Sequence, residues 1–517
     1  MKNLLIFTFF ILILNSCSEP DFETASNLES ITYNRVVDEH DNYELKKKFA
    51  KALHEAMLNN IDLLKFIKDE SLQQFNGDYD ILYNYIKAER VGGSTFREIL
   101  LNYFEYEDVL AQIESQIPTL TIFVPSLPNN SFSAELWNTD EEVPYVAIRL
   151  LNNDKTPIIS SNSQSYLLDH DVIPDFPVIV IKENERVSVP SYSGYDELTT
   201  EENSSTNGFK FKFSDSYYNN INGEYQRVRD KRAITISNAP EHLVDAWEVF
   251  GKEENLGWHR DYIYYGLQLD VPNGPWIPNF SEHFTNIKIE GSNGFNALQN
   301  ITQPSVIDTQ YSDPELIPIV FPSSSDFNQG SFWTDGKFDF IVDYGYSKDS
   351  NRETKAFDAT PGSLFEIVYE RERIIGIPFY RVVDIKQKIL RQNLELRSWR
   401  LHSYDNEWEF QIFEIDNNVT INRNHTRQVK RNLNFENTLE KIGLKFGVTT
   451  EFTDTDNTQI TWREEDIDLG QTSVHFDSNV VIGLSEHNVW IFNIQNYQLR
   501  RHTTGKVSFS LVPLQTQ

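Results

Sequence analysis

From Leu45 onward the apolar positions fall at Leu45, Phe49, Ala52, Leu53, Ala56 and Met57, spaced by three and four, the stripe of a helix with one buried face. A second stripe, Ile61, Leu64, Ile67, Leu72 and Phe75, runs to Asn76-Gly77-Asp78, which reads as a C-cap followed by a new N-cap. Tyr79, Leu82, Tyr83 and Ile86 predict a third, short helix that Gly92-Gly93 breaks. Ser94-Thr95 can cap the next, with Phe96, Ile99, Leu100, Tyr103 and Phe104 on its face, and the last helix ends by Pro118. Residues 43–117 are therefore expected to form a helical bundle of four or five helices.

The pattern then switches to alternation. Leu120, Ile122 and Val124 alternate until Pro125, and apolar runs at 146–151 and 178–181 are bounded by turn residues, so 118–192 reads as a small β-rich domain. Residues 193–230 are rich in Ser, Asn, Glu and Tyr and predict a linker or irregular segment. Across 231–395 strands are expected at 232–236, 263–269, 287–289, 365–369 and 380–383, with a short helix at 241–250 and a turn entering a strand at 333–340. This is the texture of a β-sandwich with long loops. Residues 396–517 read as a second sandwich-like domain. Trp408, Phe410 and Ile412 share a face, and the apolar side then shifts to Phe413 and Ile415, which predicts a β-bulge near 412. Further strands are expected at 445–449, 459–462, 473–476, 480–484, 489–494 and 507–512. No repeat of about 20–50 residues is visible, which argues against a solenoid or propeller. The expected fold class is mainly β with an N-terminal helical bundle, multidomain, a small β-rich domain preceding two β-sandwich-like ones.

The N-terminus follows a different logic. Met1-Lys2 precedes an apolar run from Leu4 to Leu14 that ends at Asn15-Ser16-Cys17. A bilayer span needs about 20 apolar residues, so this run predicts a signal peptide over residues 1–16. Leu14-Asn15-Ser16-Cys17 resembles the lipobox of bacterial lipoproteins, with Asn15 in place of the usual small or β-branched residue. That resemblance implies lipidation of Cys17, and acyl chains contributing about 0.8 kcal/mol per buried CH₂ would then hold the chain to a membrane. Ser18-Glu19-Pro20-Asp21-Phe22-Glu23 resembles the acidic export signal of surface-exposed Bacteroidota lipoproteins, and residues 17–42 read as an acidic tether. The expected location is the outer membrane, facing the cell surface.

Composition narrows the function classes. Of the 517 residues, 46 are Lys or Arg and 77 are Asp or Glu, a net charge of −31, which excludes nucleic acid as the main partner because phosphate binding needs a basic surface. The single cysteine excludes a disulfide-stapled scaffold and a Cys-rich zinc fold. Aromatics at 13% supply packed cores.

Catalytic motifs are sparse. His54-Glu55 lacks the second histidine of a zincin one turn on, where Leu58 stands. His259-Arg260-Asp261 imitates part of a kinase catalytic loop without the rest, and Ser191-Tyr192-Ser193-Gly194-Tyr195 lacks the glycines of a nucleophile elbow. Asp454, Asp456 and Thr458 open like a calcium loop with Glu465 at its twelfth position, yet Gln459 occupies the sixth, where the turn needs glycine. No cofactor and no metal ligand is assigned, and calcium has no specific motif behind it. Two surface features invite a binding reading. Trp333, Asp335 and Phe338, beside Phe327 and Phe332, either form a platform on which a sugar stacks or close one end of a sandwich core. Between Arg371 and Arg400 eight Lys/Arg stand against three Asp/Glu, with a further basic cluster at 423–431; these make either a patch for an acidic ligand or a solvated strand pair facing acids.

Two stretches carry a resemblance to a family. One comprises Phe49-Ala50-Lys51-Ala52-Leu53, Phe66-Ile67-Lys68-Asp69-Glu70 and Gln74-Phe75-Asn76-Gly77-Asp78-Tyr79-Asp80-Ile81-Leu82-Tyr83; the other is Pro174-Asp175-Phe176-Pro177-Val178-Ile179-Val180-Ile181 with Asn184-Glu185-Arg186-Val187. Both are similar to stretches of a family of uncharacterised secreted or lipid-anchored Bacteroidota proteins. The resemblance implies the compartment and supplies no catalytic or binding residue. Taken together, these features predict a lipid-anchored, surface-exposed binding or accessory protein for a polysaccharide or partner protein, without catalysis. The alternatives are a glycan hydrolase working through two carboxylates about 5–10 Å apart and a structural subunit of an outer-membrane complex.

Overall fold

The computed structural model describes residues 39–150, 155–160, 165–189, 203–205, 207–221, 239–250, 258–267, 274–302, 313–321, 332–346, 352–400, 404, 406–415, 420–431, 452–463, 467–489 and 492–516; for 39–41, 420–431, 452–463, 485–489 and 492–496 it describes the backbone. Cys17, the signal segment, Phe327, Glu465 and the strands expected at 232–236 and 445–449 lie outside these residues.

The first apolar stripe is the helix Glu39–Asn59, and all six of its stripe residues are buried. Asn60 caps the next helix, Ile61–Gln73, by accepting from the Leu63 amide. That helix stops at Gln74, whose left-handed backbone sends the chain away from the helix axis. The helix Phe96–Leu101 begins with the capping box formed by Thr95 and Glu98. Glu107–Gln116 ends two residues before Pro118, as expected.

Tyr79–Ile86 is not one helix. Asp80–Leu82 is a strand paired with Thr121–Phe123, and only Tyr83–Ile86 makes a helical turn. Ladder hydrogen bonds to a neighbouring strand outweigh a helical spacing carried by four residues.

Asp80–Leu82 is the edge of a seven-stranded sheet. The order continues through Leu120–Phe123, Val178–Glu183, Tyr145–Ile148, Thr156–Ile159 and Tyr166–Leu168 to Ile317–Ile319. Tyr145–Ile148 runs parallel to Val178–Glu183, and Ile317–Ile319 runs parallel to Tyr166–Leu168. The inner strands are buried on both faces, which explains their uninterrupted apolar runs. The first helix is fastened to this sheet by Lys46–Glu183 at 2.8 Å and by His54 Nδ1, 3.0 Å from the Pro144 carbonyl oxygen.

Part of the expected linker is strand. Lys210–Phe213 lies between Val187–Ser188 and Asn203–Ser204 in a three-stranded sheet. The alternation of Phe209, Phe211 and Phe213 produces it, and Phe211 is buried against Phe75 and Tyr85.

Two four-stranded antiparallel sheets make the sandwich. One has the order Leu390–Glu395, Phe280–Ile289, Val507–Gln515, His502–Thr503; the other has the order Arg352–Ala359, Phe338–Gly345, Glu407–Glu414, Ile467–His475. Each sheet joins two neighbouring strands from before residue 396 to two from after it, so the two expected sandwich-like domains, 231–395 and 396–517, share their sheets. Their facing sides meet at Phe284, whose ring centroid is 6.3 Å from those of Phe357 and Phe410 on the opposite sheet and 4.3 Å from Phe509 on its own. The chain is mainly β, with an N-terminal helix pair and several sheets, and further short helices lie between the strands.

The register does shift near 412, but the extra residue is on the partner strand. Gln411 opposes Gln471 and Phe413 opposes Asp468, so two steps on one strand face three on the other. Gly470, in the left-handed region at φ 92, supplies the bulge conformation that a side-chain-bearing residue resists. Ile412 and Phe413 are consequently both buried.

The segment expected as a strand at 263–269 instead contributes to the helix His259–Tyr264. Asp261 starts it by accepting from the Trp258 amide at 2.8 Å, a local bond that overrides the strand preference of Tyr262-Ile263-Tyr264-Tyr265. Residues 42–517 form one compact unit. Among the described residues no helix is long and apolar enough to cross a membrane.

Candidate functional site

Three stretches that are far apart in the chain meet in one buried cluster of charges: 76–80 after the second helix, 182–186 at the end of the central strand, and 335–339 entering the sandwich. Two of these are the turn motifs of the family resemblance, and the third carries the expected aromatic platform.

Arg186, at 1% exposure, sits at one pole. Its Nε and Nη2 donate to the two carboxylate oxygens of Asp339, both at 2.6 Å, the bidentate fork that suits a guanidinium. Its Nη1 donates to the Asn76 carbonyl at 2.9 Å, and Tyr218 covers its face at 5.0 Å. Asp78 and Asp358 lie 3.7 and 4.0 Å from Nη2.

Lys182 forms the other pole, fully buried over the Phe123 ring. It reaches Glu185 at 2.8 Å, Asp80 at 3.3 Å and the Asp335 carbonyl at 2.9 Å. Asn76 and Asn184 connect the poles, each donating through Nδ2 to Asp80 Oδ2, at 2.9 and 3.2 Å. Lys337 donates its backbone amide to Asp78 and its ammonium to Asp358 at 3.2 Å. Arg149 pairs with Asp335 at 2.6 Å. Gly336, at φ 93, lets the chain pass over Asp78: a Cβ there would stand 2.5 Å from the Asp78 carboxylate.

Six carboxyl groups (Asp78, Asp80, Glu185, Asp335, Asp339 and Asp358) thus face four cations (Arg149, Lys182, Arg186 and Lys337). Burial pushes the Asp80 and Asp339 carboxyls up, to about 6 and about 7, against the pull of Lys182 and Arg186 respectively. Lys182 and Arg186 themselves are held protonated by the surrounding acids, which outweigh the burial that opposes their charge.

A pH dependence follows. A carboxyl whose folded pKa lies above its unfolded value of 3.8 stabilises the fold most when protonated. Asp80 therefore contributes fully below about pH 4, and its contribution is lost as pH rises through about 6. Thermal unfolding from pH 5 to 8 should show this decline in the wild type and a flatter profile in Asp80→Asn, a difference on the order of 2 kcal/mol. Parallel profiles for the two proteins would show that Asp80 does not titrate in this window.

The cluster is a fastening rather than a reactive cleft. Trp333 and Phe338 are 5% and 3% exposed and belong to the main core. Rings in that position offer no face to a sugar, so the expected platform is corrected to a core closure that carries Asp335 into the network. Its carboxyl is pushed up by burial and held by Arg149.

His259-Arg260-Asp261 has a similar fate. Arg260 binds Glu282 through Nε at 2.8 Å and Nη2 at 3.1 Å and lies over Phe476, while His259 Nδ1 accepts from the Val480 amide at 3.2 Å. Burial pushes His259 down to about 4 and Asp261 up to about 7. His54 and Glu55 stay on their helix, with His54 on the Pro144 carbonyl.

Four of the eight cations in the basic run at 371–400 are seen paired with acids. Arg381 meets Glu370 and Glu372, Arg371 meets Asp175, Lys386 meets Asp384 and Arg397 meets Glu353. For 423–431 the structure describes a strand antiparallel to Phe452–Arg463, which places Asp454 and Asp456 opposite Val429 and Arg427 in a hairpin.

What sequence reading missed is that Asn184-Glu185-Arg186 and Asn76-Gly77-Asp78-Tyr79-Asp80 are partners. The one available signal was Lys182 and Arg186, four residues apart directly after the apolar run Val178–Ile181, on a chain otherwise short of cations. The run Asp169-His170-Asp171 was also missed: three consecutive residues of metal-binding type, buried together. In comparisons with family models, curated proteins and solved structures, the chain matches none of them.

Proposed function

We propose that this chain is a lipid-anchored, surface-exposed binding or accessory lipoprotein that recognises a polysaccharide or a partner protein without catalysing a reaction. The observation that carries the reading is the N-terminal order: an apolar run too short to span a bilayer, the only cysteine of the chain at its end, and an acidic stretch directly after. A cysteine used for packing has no reason to sit there. Behind the tether stands a rigid, mainly β body whose loops are carried by cross-braced sheets, a scaffold suited to recognition.

The buried fate of the motif-like groups supports a non-catalytic role. His259 and Asp261 are buried and hold backbone amides, and the Asp335 carboxylate is held in an ion pair by Arg149. With 77 acidic residues the body would be repelled by anionic head groups, so the tether holds it off the membrane.

Two measurements test the reading. Cys17→Ser should move the protein from the membrane fraction to the soluble extract, and a membrane-bound variant would refute the anchor. The soluble mature chain should retain a polysaccharide or an envelope protein in pull-down without releasing product; time-dependent release of shorter glycans would instead make it a hydrolase.

A further inference from the structure

Residues 169–171 make the turn between Tyr166–Leu168 and Val172–Pro174. The turn is pinned on both sides. The Asp169 amide donates to the Ile319 carbonyl at 3.2 Å on the parallel neighbour strand, and the Val382 amide of the long hairpin strand Ile377–Gln387 donates to the Asp171 carbonyl at 3.2 Å. The Val172 amide closes the turn onto the Asp169 carbonyl at 3.0 Å. A backbone held in this way leaves its side chains in fixed directions.

Those side chains converge. One carboxylate oxygen from Asp169, one ring nitrogen from His170 and one carboxylate oxygen from Asp171 lie within 4.8 Å of one another, and all three residues are buried. Asp169 Oδ1 and His170 Nδ1 are 2.9 Å apart. Donors bonded to one tetrahedral zinc ion at about 2.0–2.2 Å stand about 3.3–3.6 Å apart, so side-chain movement of about 1 Å brings the set onto a shared ion.

The decisive feature is Asp171. It is 1% exposed, and both of its carboxylate oxygens are buried with no hydrogen-bond donor. A buried carboxylate without a protein donor is costly, and proteins retain one where a cation meets it. The guanidinium of Arg381 on the neighbouring strand attracts the Asp171 carboxylate from a distance, but its ion pairs go to Glu370 and Glu372. Lys155 reaches the cluster, but on the other acid, bonding Asp169 Oδ1 at 2.7 Å.

We propose that Asp169, His170 and Asp171 bind one divalent transition-metal ion of the zinc class. Two carboxylates and one imidazole match the nitrogen and oxygen donors such ions take, whereas calcium wants six to eight oxygens. All three ligands lie on the turn, so the ion fixes the link between the seven-stranded sheet and the strand Val172–Pro174 that pairs with the long hairpin, a structural role independent of the binding function proposed above. Lys155 is its competitor: its ammonium leaves Asp169 when the ion enters.

Isothermal titration of the chelator-stripped full-length chain with zinc chloride should give about one ion per chain, and at a hundredfold excess over Kd the melting temperature should rise by about 3 °C. Asp171→Asn should bind zinc at least about tenfold more weakly. Because this variant removes a buried carboxylate that has no hydrogen-bond donor, it should melt no lower than the stripped wild type, which separates lost binding from lost folding. Lys155→Met should bind zinc more tightly, the opposite of what a purely structural Lys155–Asp169 pair gives. Absence of saturable zinc binding, zinc binding unchanged in Asp171→Asn, or stabilisation by calcium in place of zinc would overturn the proposal.

Discussion

Replacing Arg186 with methionine is expected to cost at least about 3–5 kcal/mol and to leave a poorly folded chain. Among the described residues the guanidinium is the only cation bonded to Asp339, and it also lies near Asp78 and Asp358. Without it, Asp339 loses both of its 2.6 Å bonds in a site from which water is excluded, and the Asn76 carbonyl loses its donor. The damage would not be local, because the three stretches that meet there belong to the helical region, the seven-stranded sheet and the sandwich. Urea unfolding gives the number, and a double variant explains it. Arg186→Met with Asp339→Leu removes the stranded charge together with its partner and should recover a substantial part of the loss, since a buried pair exchanged for apolar groups of similar size is often close to neutral. If the single variant lost less than about 1 kcal/mol, the network would be decoration and the core alone would hold these segments together.

Phe284→Ala is expected to cost about 3–5 kcal/mol, the usual range for emptying an aromatic site in a tightly packed core. Phe284 is fully buried on the strand at the middle of one sandwich sheet, and its ring touches Phe357 and Phe410 across the interface and Phe509 beside it. Neighbouring rings cannot all collapse into the hole, because each is held by its own strand ladder. Phe284→Leu keeps most of the volume and should cost about 1–1.5 kcal/mol. The midpoint of urea unfolding checks both, and an unchanged slope would show that the loss lies in the native packing. Equal stability of the alanine variant and the wild type would mean that the two sheets are not held together through this contact.

Much of the secondary structure could be read from the residues. The helix at 39–59, the capped helix at 96–101, the strand at 178–183 and the register shift near 412 all follow from local spacing, because each depends on neighbours within a turn or a pleat. The errors share a cause. Asp80–Leu82 looked helical and is a strand because Leu120–Phe123 lies beside it. Lys210–Phe213 looked like linker and is a strand because it completes a sheet with Val187–Ser188. Trp333 could be read as a ligand platform or as the close of a sandwich core, and tertiary packing makes it core. In each case the deciding partner is distant in the chain.

By itself, then, the sequence determined what local chemistry can determine: the apolar run and its terminal cysteine, the acidic character, the helical start and the β texture after it. Only the tertiary structure decided that Asn76, Asp80, Lys182, Arg186 and Asp339 are one network, that strands on either side of residue 395 share two sheets, and that Asp169, His170 and Asp171 turn their donors toward one point. The reason is physical. Periodicity and caps act over a few residues, whereas the worth of a buried charge depends wholly on which opposite charge the fold brings to it.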